Sequence, residues 1–274
     1  LTAAGNITRA YDGTANATVA QSNYQITGLV SGDTVAALSN SNATYNSAHV
    51  AGASNVTATG IAISSITGNR SSQVGDYALS GTSLVWGSGG QSGTNANITA
   101  ATVTLTATGN ISRAYDGTTN ATVGSGNYSV SGLVAGDSLT LSNLTTAAYN
   151  SAHVASASNV TVSNLTLATV SGNHSSAVGD YSLQTSNLVW GSGGQSGTNA
   201  NVSAAQITLT ATGNISRTYD GTANASVGLG NLSISGLVAG DSLTLGNLTT
   251  ALFNSAHVAN ATNVTVSNLT LATV

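Results

Sequence analysis

Short stretches of alternating apolar and polar residues recur along the whole chain. In residues 103–108, Val103, Leu105 and Ala107 alternate with Thr, and similar two-residue periods surround Leu139 and Val160. A period of two residues is typical of strands with one buried face, and no window of eleven residues shows helical spacing. Turn residues separate the stretches. We therefore predict an all-β fold, with about eight or nine short strands per hundred residues packed as an antiparallel β-sandwich.

The strand pattern also predicts which side chains form the core. Each is apolar and stands between polar neighbours, which places it on the inner face of a strand. The predicted core positions are Tyr128, Val130, Leu139, Leu141, Val160, Val162, Tyr181 and Leu183. The alternation shifts by one residue near Ser163 and Asn164, which predicts a turn or bulge there.

A sixteen-residue stretch with the motif Tyr-Asp-Gly occurs three times, and successive copies lie 104 residues apart. Residues 105–170 and 209–274 are identical at 55 of 66 positions. A period of this length suits whole domains in tandem. We predict repeats at 1–104 and 105–208 and a partial repeat at 209–274, as part of a longer, extended array. Within a repeat, the Gly-rich residues 191–197 are interpreted as a long loop, with the domain junction near Ile207.

The composition excludes several classes of partner. Charged residues make up 4% of the chain, the net charge is −4, and Lys, Glu, Pro, Cys and Met are absent. Neither a basic nucleic-acid footprint nor a polybasic membrane patch is therefore present. No run of eighteen apolar residues occurs, so we expect no transmembrane helix and no membrane insertion.

The Tyr-Asp-Gly motif is interpreted as structural. Asp hydrogen-bonds to its own backbone and Gly accepts positive φ, so the motif predicts a corner with the Tyr packed on the sandwich. A ligand-binding role is the alternative. The three copies are Tyr11, Asp12, Gly13, Tyr115, Asp116, Gly117, Tyr219, Asp220 and Gly221. The segment Gly179-Asp180-Tyr181 resembles a tyrosine corner. Trp86 and Trp190 are expected to fill the core, with a wedge between domains or a sugar-stacking face as alternatives.

No constellation points to catalysis, a cofactor or a metal. Each repeat carries one shared His, in the motif Asn-Ser-Ala-His-Val, and the Asp residues lack the spacing of a calcium loop. A Ser-His-Asp triad would need a nucleophile elbow, which is missing, and the Gly-rich loop lacks the Lys of a phosphate loop. We therefore expect no catalytic, cofactor-binding or metal-binding residues and predict that the protein is not an enzyme.

The chain is rich in Asn-x-Ser/Thr sequons, which hold 21 of its 29 Asn residues. That number is about twice the chance expectation for this composition. Bound sugars would help to solubilise a surface with little charge. The candidate glycosylation sites on polar strand faces are Asn127, Asn159, Asn231 and Asn263. The alternative is that Asn serves turn chemistry and that duplication inflates the count.

Four segments in a fixed order carry a family resemblance: Arg113-Ala-Tyr-Asp-Gly-Thr-Thr-Asn120, Gly132-Leu-Val-Ala-Gly-Asp-Ser-Leu-Thr-Leu141, Ala148-Tyr-Asn-Ser-Ala-His-Val154 and Gly179-Asp-Tyr-Ser-Leu183. Each unit resembles the YDG domain, which recurs in tandem in large bacterial surface and secreted proteins of the filamentous-haemagglutinin type. The resemblance implies an immunoglobulin-like β-sandwich, an extracellular or cell-surface location and no catalytic residues. It also implies sugar attachment in some relatives. The chain departs from the family pattern in lacking Lys, in lacking Pro at the junction and in its Gly-rich loop.

Three functions are compatible with these features. The leading hypothesis is a structural repeat module of a large bacterial extracellular fibre or adhesin stalk, which spaces or displays a binding region. A self-assembling filament or sheath subunit is the second, because Thr-rich strand edges without Lys can pair between identical chains. A glycan-binding adhesive repeat is the third and would need exposed aromatic clusters. The expected partners are neighbouring repeats of the same chain, identical chains in a filament, and covalent sugars or surface glycans.

Overall fold

A computed structural model describes residues 1–273 of the chain. Over these residues the structure consists of β-strands, single-turn 3-10 helices and loops, and contains no α-helix. The prediction of an all-β fold is therefore confirmed. The strands form small sheets of two or three members. The 3-10 helices span Gln21–Asn23, Val74–Asp76, Ser125–Asn127, Leu144–Thr146, Val178–Asp180, Leu229–Asn231 and Leu248–Thr250.

The first repeat contributes nine strands. They are β1 (Thr2–Ala3), β2 (Asn6–Ala10), β3 (Tyr24–Gln25), β4 (Asp33–Ser39), β5 (Asn42–Tyr45), β6 (Asn55–Thr59), β7 (Ala62–Gly68), β8 (Ser83–Gly87) and β9 (Asn95–Thr99). Strand β6 lies between β5 and β8 in an antiparallel sheet, and β4 pairs antiparallel with β7. Strands β2 and β9 pair in parallel, so the strand before the Tyr-Asp-Gly motif lies beside the last strand of its repeat.

The second repeat follows the same plan. Its strands are β10 (Ala101–Ala107), β11 (Asn110–Ala114), β12 (Tyr128–Ser131), β13 (Asp137–Ser142), β14 (Ala148–Tyr149), β15 (Asn159–Val162), β16 (Thr166–Gly172), β17 (Tyr181–Leu183), β18 (Leu188–Gly191) and β19 (Asn199–Ser203). Strand β10 pairs antiparallel with β12 and parallel with β17. Strand β11 pairs in parallel with β19, as β2 does with β9.

The third repeat shows part of this plan. Its strands are β20 (Thr208–Ala211), β21 (Leu232–Ser235), β22 (Thr244–Gly246), β23 (Leu252–Phe253), β24 (Val264–Thr265) and β25 (Thr270–Thr273). They form antiparallel pairs that match β10 with β12, β13 with β16, and β14 with β15 of the second repeat.

A Trp lies at the centre of each of the first two repeats. Trp86 and Trp190 are fully buried. The indole of Trp190 donates hydrogen bonds to the carbonyl oxygens of Thr108 at 3.1 Å and Asn127 at 2.8 Å, so its polar N–H is satisfied inside the core. Trp86 makes the same pair of bonds in the first repeat. The Trp residues therefore fill the core, as the sequence predicts.

The predicted core positions of the second repeat face inward. Val160, Val162 and Tyr181 are buried, while Tyr128, Val130, Leu139, Leu141 and Leu183 are partly buried and pack against the core. The predicted turn is also present, because β15 ends at Val162 and Asn164 adopts a left-handed φ of +57° before β16 begins. Asn tolerates this conformation better than most residues.

The connection from the first to the second repeat is very short. Strand β9 pairs with β2 of the first repeat, whereas β10 pairs with strands of the second, and Ala100 alone separates β9 from β10. The Gly-rich residues 191–197 connect β18 to β19 and so form a loop within the second repeat. In the part of the chain that the structure describes, no helix is long and apolar enough to cross a membrane.

Candidate functional site at the joint between repeats

The Tyr-Asp-Gly motif of the first repeat forms a tight loop directly after β2. The Oδ1 atom of Asp12 accepts hydrogen bonds from the backbone N–H and the hydroxyl of Thr14, each 2.8 Å long. Gly13 has a φ of +80°, a left-handed conformation that glycine adopts without steric cost. Asp and Gly therefore close the turn, as predicted.

Arg9, which lies on strand β2, stabilises this loop. Its guanidinium pairs with the Asp12 carboxylate, donates to the carbonyl oxygen of Asn16 at 2.9 Å, and lies 5.3 Å from the centroid of the Tyr45 ring. Burial alone would raise the pKa of Asp12, but the Thr14 hydrogen bonds and the Arg9 charge hold it below its usual range. The same arrangement recurs with Arg113, Asp116 and Tyr149 and with Arg217, Asp220 and Phe253. Each loop is thus built by residues of its own repeat.

The Tyr11 ring projects from this loop and packs against the second repeat. It is 3% exposed and meets the Tyr181 ring edge-on, with 5.4 Å between the ring centroids. On its other side it stacks on His49 of its own repeat at 6.1 Å. The Tyr11 hydroxyl lies 2.6 Å from the hydroxyl of Ser176. The motif therefore joins two repeats across a separation of 165 residues in sequence.

On the second repeat, the contacts centre on a buried carboxylate, Asp137. Its side chain has no exposed area. Its Oδ2 atom accepts hydrogen bonds from the hydroxyls of Ser176 at 2.5 Å and Tyr181 at 2.6 Å, and its Oδ1 atom lies 3.3 Å from Nδ1 of His174. Because the Ser176 proton points to Asp137, the Tyr11 hydroxyl donates to Ser176. A continuous chain of hydrogen bonds therefore runs from the first repeat into the core of the second.

A second carboxylate, Asp180, makes the other contact across the joint. Its Oδ1 atom accepts a hydrogen bond from the backbone N–H of Val50, and its Oδ2 atom lies against Nδ1 of His49, both at 2.8 Å. Oδ2 also accepts from the backbone N–H of Ala177, which closes the 3-10 turn before β17. Asp180 is 1% exposed. The motif Asn-Ser-Ala-His-Val of one repeat is thus held by the motif Gly-Asp-Tyr of the next.

We name the two sides of this joint by their central residues. The tyrosine face of the first repeat consists of Tyr11, Gly13, His49 and Val50. The aspartate face of the second repeat consists of Asp137, His174, Ser176, Asp180 and Tyr181.

Hydrogen bonding keeps both carboxylates of the aspartate face ionised. Burial acts to raise the pKa of Asp180, but the N–H groups of Ala177 and Val50 and the His49 side chain lower it, and the net shift is downward. The pKa of Asp137 is likewise lowered against the effect of burial, by Ser176, Tyr181 and His174. Burial and the bond to Asp137 raise the pKa of Tyr181 to about 12. The joint therefore offers two buried anions to the donors of the tyrosine face.

Gly13 allows the two faces to approach closely. A Cβ atom at this position would lie 2.7 Å from Cδ2 of His174 in the next repeat. At the equivalent Gly117, a Cβ atom would lie 3.2 Å from a methyl group of Val238 in the third repeat. The Gly of the motif thus serves both its own turn and the fit between repeats.

The second joint shares the Tyr and Asp positions of the first. Asp241 occupies the position of Asp137, and its charge and hydrogen bond, after burial, raise the pKa of Tyr115. A groove of about 400 Å³ lies beside Tyr115, lined by Tyr115, His153, Val154, Leu237, Val238 and Asp241 among others.

The family assignment follows from comparison with known proteins. The family model of the YDG domain matches residues 1–84, 99–188 and 203–273. The chain belongs to the YDG domain family. Neither the comparison with curated proteins nor the comparison with solved structures found a match. The three matched segments correspond to the three repeats, and the Tyr of the Tyr-Asp-Gly motif lies in the joint between the first two repeats.

The contacts between repeats were not predicted from the sequence. The prediction packed the motif Tyr on its own sandwich, whereas Tyr11 packs on the next YDG repeat. No contact was predicted for the shared His of each repeat, and the structure places His49 against Asp180 of the next repeat. A signal was available, since Tyr, His and the Gly-Asp-Tyr motif recur together in the first two repeats, but periodicity cannot separate contacts within a repeat from contacts between repeats.

The Gly-Asp-Tyr motif behaves in part as a tyrosine corner. The Tyr181 hydroxyl accepts a hydrogen bond from the backbone N–H of Val134 at 3.2 Å and donates to Asp137, but Val134 lies 47 residues upstream, whereas a tyrosine corner bonds backbone a few residues upstream. Tyr77 makes the same two contacts, with Val30 and Asp33, in the first repeat. The Asp of the motif adds the contact across the joint.

The candidate glycosylation sites have different environments. The Nδ2 atom of Asn127 donates to the carbonyl oxygen of Asn110 at 3.4 Å, and Nδ2 of Asn159 donates to that of Ser192 at 3.2 Å. Asn127 and Asn231 end 3-10 turns, so the prediction that they lie on strand faces is wrong: their side chains accept hydrogen bonds from the N–H groups of Gly124 and Gly228 and so close these turns. Asn263 is exposed. Among residues 1–273, no group of three or more His, Cys, Asp or Glu side chains is placed to hold a metal ion.

Proposed function

We propose that this chain is a structural repeat module of a large bacterial extracellular fibre or adhesin stalk, which spaces or displays a binding region. The observation that supports the proposal most strongly is the joint, because the best-formed polar cluster of the chain serves to connect one YDG repeat to the next. A spacer needs joints of fixed geometry. Short connections without a flexible linker, such as Ala100 between β9 and β10, serve the same purpose.

We also propose that each complete repeat is an immunoglobulin-like β-sandwich and that the repeats form an extended, stiff array. Two antiparallel groups, β4 with β7 and β5 with β6 and β8, supply the strands that such a sandwich needs. Small-angle X-ray scattering on the chain tests the array. A maximum dimension close to three repeats placed end to end is expected, and a compact particle with repeats folded back on one another would refute the rod.

The proposed location outside the cell has a separate test. Antibody labelling of intact cells that produce the protein is expected to detect the repeats at the surface or in the medium. Labelling that appears after permeabilisation alone would contradict the location while leaving the joint and the rod untouched.

The two alternatives differ from the stalk in the surface that they use. A filament subunit would pair the Thr-rich edges of its strands between chains. A glycan-binding repeat would present aromatic rings to solvent, but Trp86, Trp190, Tyr11 and Tyr181 are buried, which favours the stalk. Binding to glycans that is lost on substitution of Tyr219, an exposed ring, would favour the adhesive repeat.

Covalent sugar on the Asn-x-Ser/Thr sequons remains part of the proposal. Asn263 is the most accessible of the four candidate residues, since a sugar on Asn127 or Asn159 would displace a hydrogen bond of its Nδ2 atom. Mass spectrometry of peptides from protein made by its natural producer decides the matter. A bare mass for the peptide that holds Asn263 would exclude modification at that residue, whereas added hexose on the same peptide would support it.

A further inference from the structure

We propose that the parallel pair of β11 and β19 is a mechanical clamp, which keeps the second repeat folded when the chain is under tension. The pair of β2 and β9 has the same role in the first repeat. The inference deepens the proposed stalk function, on which its biological use rests, because a spacer that is held at both ends carries tension. The clamp itself is a property of one repeat and is tested on one repeat.

The clamp joins an early strand of the second repeat to its last strand. Strand β11 runs beside β19 in the same direction over five residue pairs, which begin with Asn110 opposite Asn199. Residues 115–198 lie between the two strands in sequence. Most of the repeat therefore cannot be drawn out until β11 and β19 separate.

The parallel direction decides how tension loads the pair. The chain enters β11 at one end of the pair and leaves β19 at the other end, so tension slides the two strands past each other in opposite directions. The hydrogen bonds of a parallel pair are evenly spaced along the strands, so they share this load. If the two strands were antiparallel, both attachment points would lie at the same end, and the bonds would break one after another.

Side chains add hydrogen bonds at both ends of the clamp. At its start, the N–H of Asn199 donates to Oδ1 of Asn110 at 3.0 Å. At its end, the hydroxyl of Ser203 donates to the carbonyl oxygen of Arg113 at 3.3 Å. The N–H of Tyr115 in turn donates to the carbonyl oxygen of Ser203 at 2.8 Å. The pair is therefore fixed at both of its ends.

The first repeat has the same arrangement in β2 and β9. The N–H of Asn95 donates to Oδ1 of Asn6 at 3.0 Å, and the hydroxyl of Thr99 donates to a carbonyl oxygen of β2 at 3.2 Å. Ile7 on β2 and Ile98 on β9 are buried. Sliding the strands past each other would expose these side chains to water, so burial of the apolar face adds to the resistance of the hydrogen bonds.

Stretching the full chain in an optical trap, in two directions, tests the clamp. The chain contains no Cys, so a pair of introduced Cys residues defines the two attachment points. Thr108→Cys with Ala204→Cys places them at opposite ends of the clamp, before β11 and after β19, and shears it. Thr108→Cys with Ser196→Cys places both at the same end, before β11 and before β19, and peels the strands apart.

The sheared variant is expected to unfold at about twice the force of the peeled variant, or more, at the same loading rate, because several hydrogen bonds share the load. The length released assigns the event to the second repeat. Shearing should release residues 108–204, at about 3.5 Å per stretched residue. Equal unfolding forces in the two directions would overturn the proposal.

Ser203→Ala separates a role in the clamp from a general loss of stability. It should lower the sheared force and leave the peeled force unchanged, because its bond lies at the far end of the pair and breaks last during peeling. Equal losses in both directions would contradict the clamp. Ser138→Ala, which removes a hydroxyl contact between β13 and β16, is the matched control and should leave the sheared force unchanged.

The first repeat provides an independent pair of measurements if an attachment point disturbs the second. Ala4→Cys with Ala100→Cys shears β2 against β9, and Ala4→Cys with Ser92→Cys peels them apart. The same difference in unfolding force is expected. A failed clamp would leave the stalk function standing, because antibody labelling and X-ray scattering test the location and the rod separately.

Discussion

Tyr11, Tyr115 and Tyr219 occupy the same position in three nearly identical loops, yet their surroundings differ. Tyr11 is buried by the next repeat, Tyr115 is half-buried beside Asp241, and Tyr219 is exposed. The loop itself is the same in each case, since Arg, Asp and Gly build it from within the repeat. The environment of the Tyr therefore reports on contact between repeats and not on the folding of its own loop.

This difference predicts unequal costs for the same substitution. Tyr11→Ala should lower the free energy of unfolding by about 3 kcal/mol, because a packed ring and a buried hydrogen bond are lost. Tyr219→Ala should change it by less than about 0.5 kcal/mol, because the ring is exposed. Urea unfolding of both variants measures the contrast, and equal effects would show that Tyr11 makes no special contact.

The Gly of the motif allows a similar comparison. Gly13→Ala and Gly221→Ala each place a Cβ atom on a residue with a φ near +80°, at a cost of about 1 kcal/mol. Only Gly13→Ala also meets His174, whereas nothing lies within 4 Å of the Cβ position at Gly221. Gly13→Ala should therefore destabilise the protein more, and adding His174→Ala should remove the excess. An excess that persists in the double variant would exclude the His174 clash.

Two elements, the 3-10 turn Val178–Asp180 and strand β17, supply the residues of the aspartate face that contact the first repeat. The turn places Asp180 against His49 and Val50, and the first residue of the strand places Tyr181 against Tyr11. On the other side, β2 and its parallel partner β9 lead to the YDG loop. The elements nearest the joint therefore position its contacts directly.

The buried carboxylate of Asp180 predicts that the stability of the protein falls at low pH. Asp180 has a folded pKa below its ordinary 3.8, so its contribution to stability is present above that value and is lost as pH falls through the lower, folded pKa. The difference in unfolding free energy between wild type and Asp180→Asn should be constant above about pH 5 and shrink below pH 4. Urea titrations across this range measure it. Asp76→Asn, at the equivalent position of the first repeat, where the side chain is exposed, is the control and should cost less than about 0.5 kcal/mol at neutral pH.

Many of the strands and turns could be predicted from the local pattern of the sequence. Alternation predicted the strands around Val160 and Leu139, the phase shift predicted the turn at Asn164, and turn chemistry predicted the loop that Asp12 closes. These features depend on neighbouring residues, which a sequence shows directly. The contacts of Tyr11 and His49 could not be predicted this way, because identical repeats offer each residue the same partner type at several places and only the three-dimensional arrangement selects one.

At the scale of the whole molecule, the YDG motif connects domains. The tyrosine face has the same residue types in all three repeats, and four of the five residues of the aspartate face recur in the first repeat, so successive joints can reuse one set of contacts and the array can grow without new chemistry.

The coupling between Tyr11 and Ser176 tests the joint most directly. A double-mutant cycle with Tyr11→Phe and Ser176→Ala, measured by urea unfolding of the full chain, isolates their interaction. We predict a coupling free energy of about 1 kcal/mol between Tyr11 and Ser176, and about zero for the matched cycle of Tyr219→Phe with Ser176→Ala. Additive effects of Tyr11→Phe and Ser176→Ala would contradict it, since two residues that share a buried hydrogen bond across the joint cannot act independently.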